Sequence, residues 1–234
     1  MENKKTKVAI VIVILLIIVL IVVSYFYNDF NSKQVTLLTQ ELNGILEADL
    51  KEDSIDFDVK TEKNYAEVEK SIKEYMSRLK NIYVEMEEMV SGINPNIIFS
   101  TQNIHEKNLE EIDNIINEYK EKSQNLILEY EVLTTEEKIM KNINDINISM
   151  RKDYYIELYK EVMLSQKMKN KFADLDEEIK NEKARLYDKL NKIEKMKTFL
   201  EEHEDSWTLK DDKIQFTNLN RMTEYYNLLN QIIY

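Results

Sequence analysis

Between Val8 and Tyr27 the chain carries no charge, and from Val8 to Val23 every side chain is aliphatic. No soluble fold easily absorbs such a run. About 20 residues at a helical rise of about 1.5 Å span roughly 30 Å, the thickness of a bilayer's hydrocarbon core. The stretch therefore predicts a transmembrane helix over 8–27, and the rest of the chain has to be arranged around it.

Lys4, Lys5 and Lys7 precede the run against a single Glu2, whereas the first charges beyond it are Asp29 and Lys33. The positive-inside bias then puts residues 1–7 in the cytoplasm and residues 28–234 outside, with Tyr25, Phe26 and Tyr27 as an interfacial aromatic belt. The rival reading is a cleaved signal peptide. The apolar core exceeds the roughly 7–15 residues usual for cleaved signals, and Ser24 is the one small residue near a cleavage position, so an uncleaved anchor is favoured. The span holds no glycine for close helix pairing and no charge to mark an ion path.

Two glycines and one proline in 234 residues leave few means of turning the chain. With 43% hydrophobic and 32% charged residues, the composition predicts helix almost throughout. The fold class expected is all-α: the transmembrane helix continues into an elongated extracytoplasmic helical bundle with coiled-coil-like heptad packing. The formal charge is −12; because Met1–Lys7 carries three lysines against one glutamate, the remainder stands at −14. Such a surface repels polyanions and argues against nucleic acid, anionic lipid head groups and bare teichoic acids as direct partners. The absence of cysteine excludes disulfides, thiol chemistry and thiolate-held zinc.

Heptad spacing starts directly after the span, with Val35, Leu38, Leu42 and Ile45, and predicts that the anchor helix runs on into the external part. Lys51–Thr61 reads as a polar connection. Tyr65, Val68, Ile72, Tyr75, Leu79, Ile82, Met86 and Met89 then alternate spacings of three and four, on a face too wide for a two-stranded seam. Gly92 and Pro95 should end that helix. The next is expected from Ser100 or Thr101, with His105 and Ser123 in core-type places among Leu109, Ile112, Ile116, Tyr119, Leu126, Tyr130 and Leu133. Thr134 and Glu137 form a Thr-x-x-Glu capping pattern for a further helix.

Over 135–203 no glycine or proline intervenes. Met150, Tyr154, Leu158 and Val162 fall four apart, a stutter in the frame, before Phe172, Ile179, Leu186, Ile193 and Leu200 recur at sevens. One long helix is favoured, with a break near Ser165–Asp174 as the alternative. His203–Lys213 reads as a polar connection, and Leu219, Met222, Tyr226, Leu229 and Ile233 as the last helical stripe.

Chemistry is sparse. Neither His105 nor His203 begins a His-Glu-x-x-His or completes a Glu-x-x-His motif, so no metal site is expected. No cofactor is expected either, since phosphate-cradling glycine loops are missing. Paired carboxylates such as Glu87-Glu88 and Glu110-Glu111 point to different sides of a helix and suit solvated faces better than acid–base work. Trp207, the only tryptophan, reads either as a lid on the core or as an exposed anchor for a partner, with the lid favoured. Tyr155 and Tyr159 share a helical face and could form a partner contact, Tyr154 falling on the core stripe; amphipathic packing is the favoured reading of the pair.

Arg151–Tyr159 (RKDYYIELY) and Ala173–Phe199 (ADLDEEIKNEKARLYDKLNKIEKMKTF) resemble the cell-wall-binding lipoprotein family of Firmicutes (YkyA type). The resemblance covers about a quarter of the chain and implies an envelope location and a helical ectodomain, with no catalytic residues to carry over. Family members begin with a lipid-modified cysteine, and here the apolar run stands in that place.

Together these readings lead to a non-enzymatic, membrane-anchored envelope protein, a scaffold or binding module for a protein partner, with self-association open. The alternative is a ligand-sensing ectodomain acting through a separate signalling subunit.

Overall fold

The computed structural model describes residues 2–49, 56–146, 148, 150–211 and 213–233. Among them the chain is mostly helical: α1 (Glu2–Glu47), α2 (Lys63–Gly92), α3 (Pro95–Ile98), α4 (Glu110–Leu133), α5 (Glu136–Asn144), α6 (Lys152–Met163), α7 (Gln166–Glu202) and α8 (Leu219–Ile233). They are joined by one antiparallel hairpin, β1 (Trp207–Lys210) and β2 (Lys213–Phe216). The chain packs as two compact units, residues 1–75 with 140–165 and residues 76–139 with 166–234.

In the first unit α1 runs unbroken from the apolar segment into buried positions, as the heptads predict. Ile14–Val23 and Tyr25–Tyr27 are each at least 45% exposed, while Leu38, Leu42 and Ile45 farther along the same helix are buried. Burying such a side chain contributes about 1.5–3 kcal/mol, which the second half of α1 gains and Ile14–Val23 does not. Their companions in this core include Tyr65, Val68 and Ile72 of α2, and Tyr155, Tyr159 and Met163 of α6. Of the connection expected over 51–61, residues 51–55 lie outside the described residues; 56–60 are irregular.

The single helix favoured for 135–203 is three. α5 ends at Asn144, Arg151 takes a left-handed conformation (φ 55°) just before α6, and α6 ends at Met163, with only Leu164 and Ser165 ahead of α7. The break near Ser165 needs no glycine, because Leu164 and Ser165 turn back onto the carbonyls of Lys160 and Val162. The left-handed residue also resets the helical phase: α6 buries Tyr155, Tyr159 and Met163, whereas Tyr154, Leu158 and Val162 are only half-buried and Met150 is exposed.

The second unit is built from the remainder of α2 with α3, α4, α7, the hairpin and α8. The sevens of α7 are all buried: Phe172, Ile179, Leu186, Ile193 and Leu200. At about 1.5 Å per residue this helix is about 55 Å long. Four local expectations are corrected here. α4 begins at Glu110, because Glu106 and Lys107 have positive φ and the Asn108 side chain accepts from the Glu110 amide at 2.9 Å; Ile104 is buried where His105 had been expected. The cap of α5 is Thr135, whose hydroxyl accepts from the Lys138 amide, while the Thr134 hydroxyl turns back to the Tyr130 carbonyl. α2 ends at Gly92, but neither glycine has positive φ, and Pro95 opens α3 behind an Asn94 cap. On α8 the buried face is Tyr225, Leu229 and Ile232, with Leu219 and Tyr226 exposed.

The polar connection over 203–213 also proves structured. Trp207 pairs with Phe216 and Leu209 with Ile214 across the hairpin, and Trp207 and Ile214 face the core. The fold is therefore helical with a β-hairpin rather than purely α. An alternation of period two, Trp207-Thr208-Leu209-Lys210 and Lys213-Ile214-Gln215-Phe216, was present in the sequence, but four residues a side is short beside the charges that surround it.

Candidate functional site

The three residues singled out as partner contacts are buried, Tyr155 and Tyr159 within the first unit and Trp207 within the second. Trp207 is 1% exposed, Tyr155 5% and Tyr159 0%. The last carbonyls of a helix have no partner within it. Trp207 Nε1 donates to the Leu200 carbonyl at 2.8 Å, and His203 Nδ1 lies 2.8 Å from the Phe199 carbonyl, so the tryptophan and the second histidine both finish α7. Lys107 Nζ sits 5.4 Å from the centre of the indole and donates to the Glu204 carbonyl, closing the far side. Tyr155 stacks edge-on against Tyr65, ring centres 5.1 Å apart. The Tyr159 hydroxyl accepts from Asn142, which also reaches Ser71, and burial pushes its phenol pKa up. As folded, none of these rings offers a face to a partner. The phase shift at Arg151 is what places Tyr155 and Tyr159, rather than Tyr154, on the buried face of α6.

Among the described residues the most buried charges form a clasp in the first unit that heptad reading passes over. Lys73 and Glu69, one turn apart on α2, are 1% and 0% exposed. Lys73 Nζ donates to Glu69 Oε1 at 2.7 Å, to Glu41 Oε2 at 2.9 Å and to the Asp58 carbonyl at 2.6 Å, which uses all three ammonium protons. Glu69 accepts from the amides of Lys60 and Thr61 and from the Thr61 hydroxyl. Burial pushes the Glu69 pKa up, but the bonds from Lys73, Thr61 and the two amides outweigh it, and the net shift is downward. For Lys73, desolvation pulls down and the two carboxylates prevail, raising it. With its donors and acceptors turned on one another, the clasp pins 58–61 to α1 and α2 and aims no group at a substrate.

An accessible concavity lies in the second unit, between the end of α2, α3 and α4. It holds about 460 Å³, within the range of about 300–1,000 Å³ typical of ligand sites. Met89, Ile97, Ile98, Ile115 and Tyr119 supply apolar surface, and Glu85, Glu88, Glu118 and Lys122 supply charge. Ile97 is 56% exposed, while Met89 and Ile98 are buried beneath. Asn103 Nδ2 donates to the carbonyls of Ile97 and Ile98 at 3.0 and 3.1 Å and so holds the α3 wall. Lys122 stands 3.8 Å from Glu85, leaving a carboxylate excess around an apolar floor. That arrangement suits an occupant with positive charge and an apolar body. Sequence reading missed the groove because its walls meet only once α2 and α4 are packed; the one local signal was Gly92-Ile93-Asn94-Pro95, which marks a sharp corner.

Among the described residues no three His, Asp or Glu side chains gather as a metal-binding group. No family model, curated protein or solved structure matches the chain.

Proposed function

We propose that this protein is a non-enzymatic scaffold of the cell envelope, anchored by residues 8–27 with residues 1–7 cytoplasmic and 28–234 extracytoplasmic, that holds a protein partner outside the membrane. The observation carrying the reading is the division of α1. Its apolar half is long and apolar enough to cross a membrane and is 0% buried, which a core helix of a soluble domain would not be. Soluble proteins seldom expose a contiguous apolar patch beyond a few hundred Å², so a helix bare on every side for about four turns calls for lipid as its solvent. The heptad-spaced buried positions of α1, α2 and α7 support coiled-coil-like packing beyond the anchor. The partner fits the groove of the second unit and is cationic with apolar side chains. A small cationic ligand, sensed on behalf of a separate signalling subunit, is the second reading; the groove's volume favours it.

Because the chain has no cysteine, single introduced thiols report topology cleanly. With the full chain in intact cells, a membrane-impermeant maleimide should label Ile97→Cys at once and Lys4→Cys only after permeabilisation. The reverse order would refute the orientation, and a mature product lacking the first two dozen residues would refute the anchor. Saturable binding of basic amphipathic peptides that Glu118→Lys weakens would support the partner reading; a small cation that raises the midpoint of thermal unfolding, while those peptides do not bind, would support the sensor.

A further inference from the structure

The end of α1's apolar run is tied sideways to the start of α6. Arg151 Nη1 donates to the Tyr27 hydroxyl at 3.2 Å, and its guanidinium lies 4.6 Å from the centre of the Tyr154 ring. Asn64 Nδ2 holds the Met150 carbonyl at 3.1 Å, and Lys152 Nζ donates to the Asn144 carbonyl at 3.1 Å. Lys63 Nζ sits 4.3 Å from the centre of the Phe30 ring, one turn above Tyr27. Within this fastened corner the Met150 side chain is 73% exposed. Its backbone is held, so the exposure belongs to the fold.

If residues 8–27 span the bilayer, Tyr27 lies at head-group depth, and a guanidinium bonded to its hydroxyl lies there too. We propose that Met150, Arg151 and Lys152, with Lys63, form a docking surface for the phosphates of anionic lipid head groups, Met150 inserting among the upper acyl carbons. This inference rests on the membrane-anchored reading and adds to it a second contact with the bilayer. Charge complementarity favours the occupant. Three cations gather beside the span although the −14 of residues 8–234 as a whole argues against anionic lipid; of the nearby acids Asp29 is paired with Lys33 at 2.8 Å, and Glu62, Asp145 and Asp153 are exposed counter-charges. Arginine and lysine side chains reach phosphate while their stems and a neighbouring apolar side chain stay in the interfacial layer. Two contacts, the span and this corner, fix the tilt of the first unit on the membrane where a lone helix would leave it free to swing.

The test uses the full chain in vesicles of phosphatidylglycerol and phosphatidylcholine, or of phosphatidylcholine alone, with an environment-sensitive fluorophore on one introduced cysteine and spin-labelled lipids as quenchers. Ser24→Cys reports the span, Thr39→Cys the water-exposed part of α1, and Met150→Cys the proposed contact. Expected are deep quenching at 24, shallow quenching at 150 that is stronger in the anionic vesicles, and none at 39. Arg151→Gln, read at the 150 label, should lower the docked-to-free ratio about fivefold, the weight of one basic group at an anionic surface; Lys152→Gln should act likewise without touching the Tyr27 bond. Quenching at 24 with position 150 behaving like 39, or equally quenched in both lipids, overturns the proposal and leaves the anchor standing. No quenching at 24 overturns the anchor, and the proposal with it.

Discussion

Replacing Glu69 by glutamine should open the first unit at one place. Glu69 is 0% exposed, and its two oxygens take bonds from Lys73 Nζ at 2.7 Å, the Thr61 hydroxyl at 2.7 Å and the Thr61 amide at 2.8 Å, with the Lys60 amide at 3.0 Å. Breaking a buried pair by removing one charge costs about 3–5 kcal/mol, because the surviving charge keeps its desolvation penalty. The glutamine retains one acceptor oxygen, and Lys73 retains Glu41 and the Asp58 carbonyl, so the low end, about 3 kcal/mol, applies. Hydrogen exchange of the full chain in detergent micelles, read on the amides of Lys60 and Thr61, should then accelerate about 100-fold, since about 1.4 kcal/mol is a factor of ten. Lys73→Met added to Glu69→Gln should lose less than the sum of the single changes, the orphaned ammonium being gone. Less than a tenfold acceleration in Glu69→Gln, or strict additivity in the pair, would refute the clasp. The pH dependence has a fixed sign on each side. Glu69 is lowered on folding from its ordinary 4.5, so its contribution is present above that value and is lost as pH falls through the lower folded pKa. Lys73 is raised from its ordinary 10.5, so its contribution is complete below that value and is lost as pH rises through the higher folded pKa.

In the second unit, Trp207→Phe removes the indole bond to Leu200 and should cost about 1–2 kcal/mol in urea denaturation followed by circular dichroism, with Trp207→Ala costing about 3–5. The native tryptophan should emit to the blue and resist iodide, and strong iodide quenching would refute its burial. Glu182 occupies a core place on α7, and its buried Oε2 has no hydrogen-bond partner among the described residues, while Oε1 meets Arg185 at 2.6 Å. Because an unsatisfied buried acceptor costs about 1–3 kcal/mol, Glu182→Leu should raise the urea midpoint, and a clear drop would mean the carboxylate has a role these contacts do not explain.

Which segment is long and apolar enough to cross a bilayer, and where the longest helices run, was legible because each is a statement about neighbours in sequence. The charge-free run, the three–four alternation from Tyr65 to Met89 and the sevens from Phe172 to Leu200 repeat at the period of the helix itself, and the structure buries the latter two sets. Three other features waited on tertiary contacts. Arg151 adopts a left-handed turn within a stretch free of glycine and proline, and that one residue exchanges Tyr154 for Tyr155 in the core. Trp207 became the cap of a helix seven residues behind it, and the acidic-rimmed groove formed when α4 packed beside the end of α2. Periodicity tells which side chains share a face. Which carbonyl an indole satisfies, or which ammonium a buried carboxylate accepts, depends on segments that meet only when the chain has folded, and there the local pattern yields to the need to pair every buried polar group.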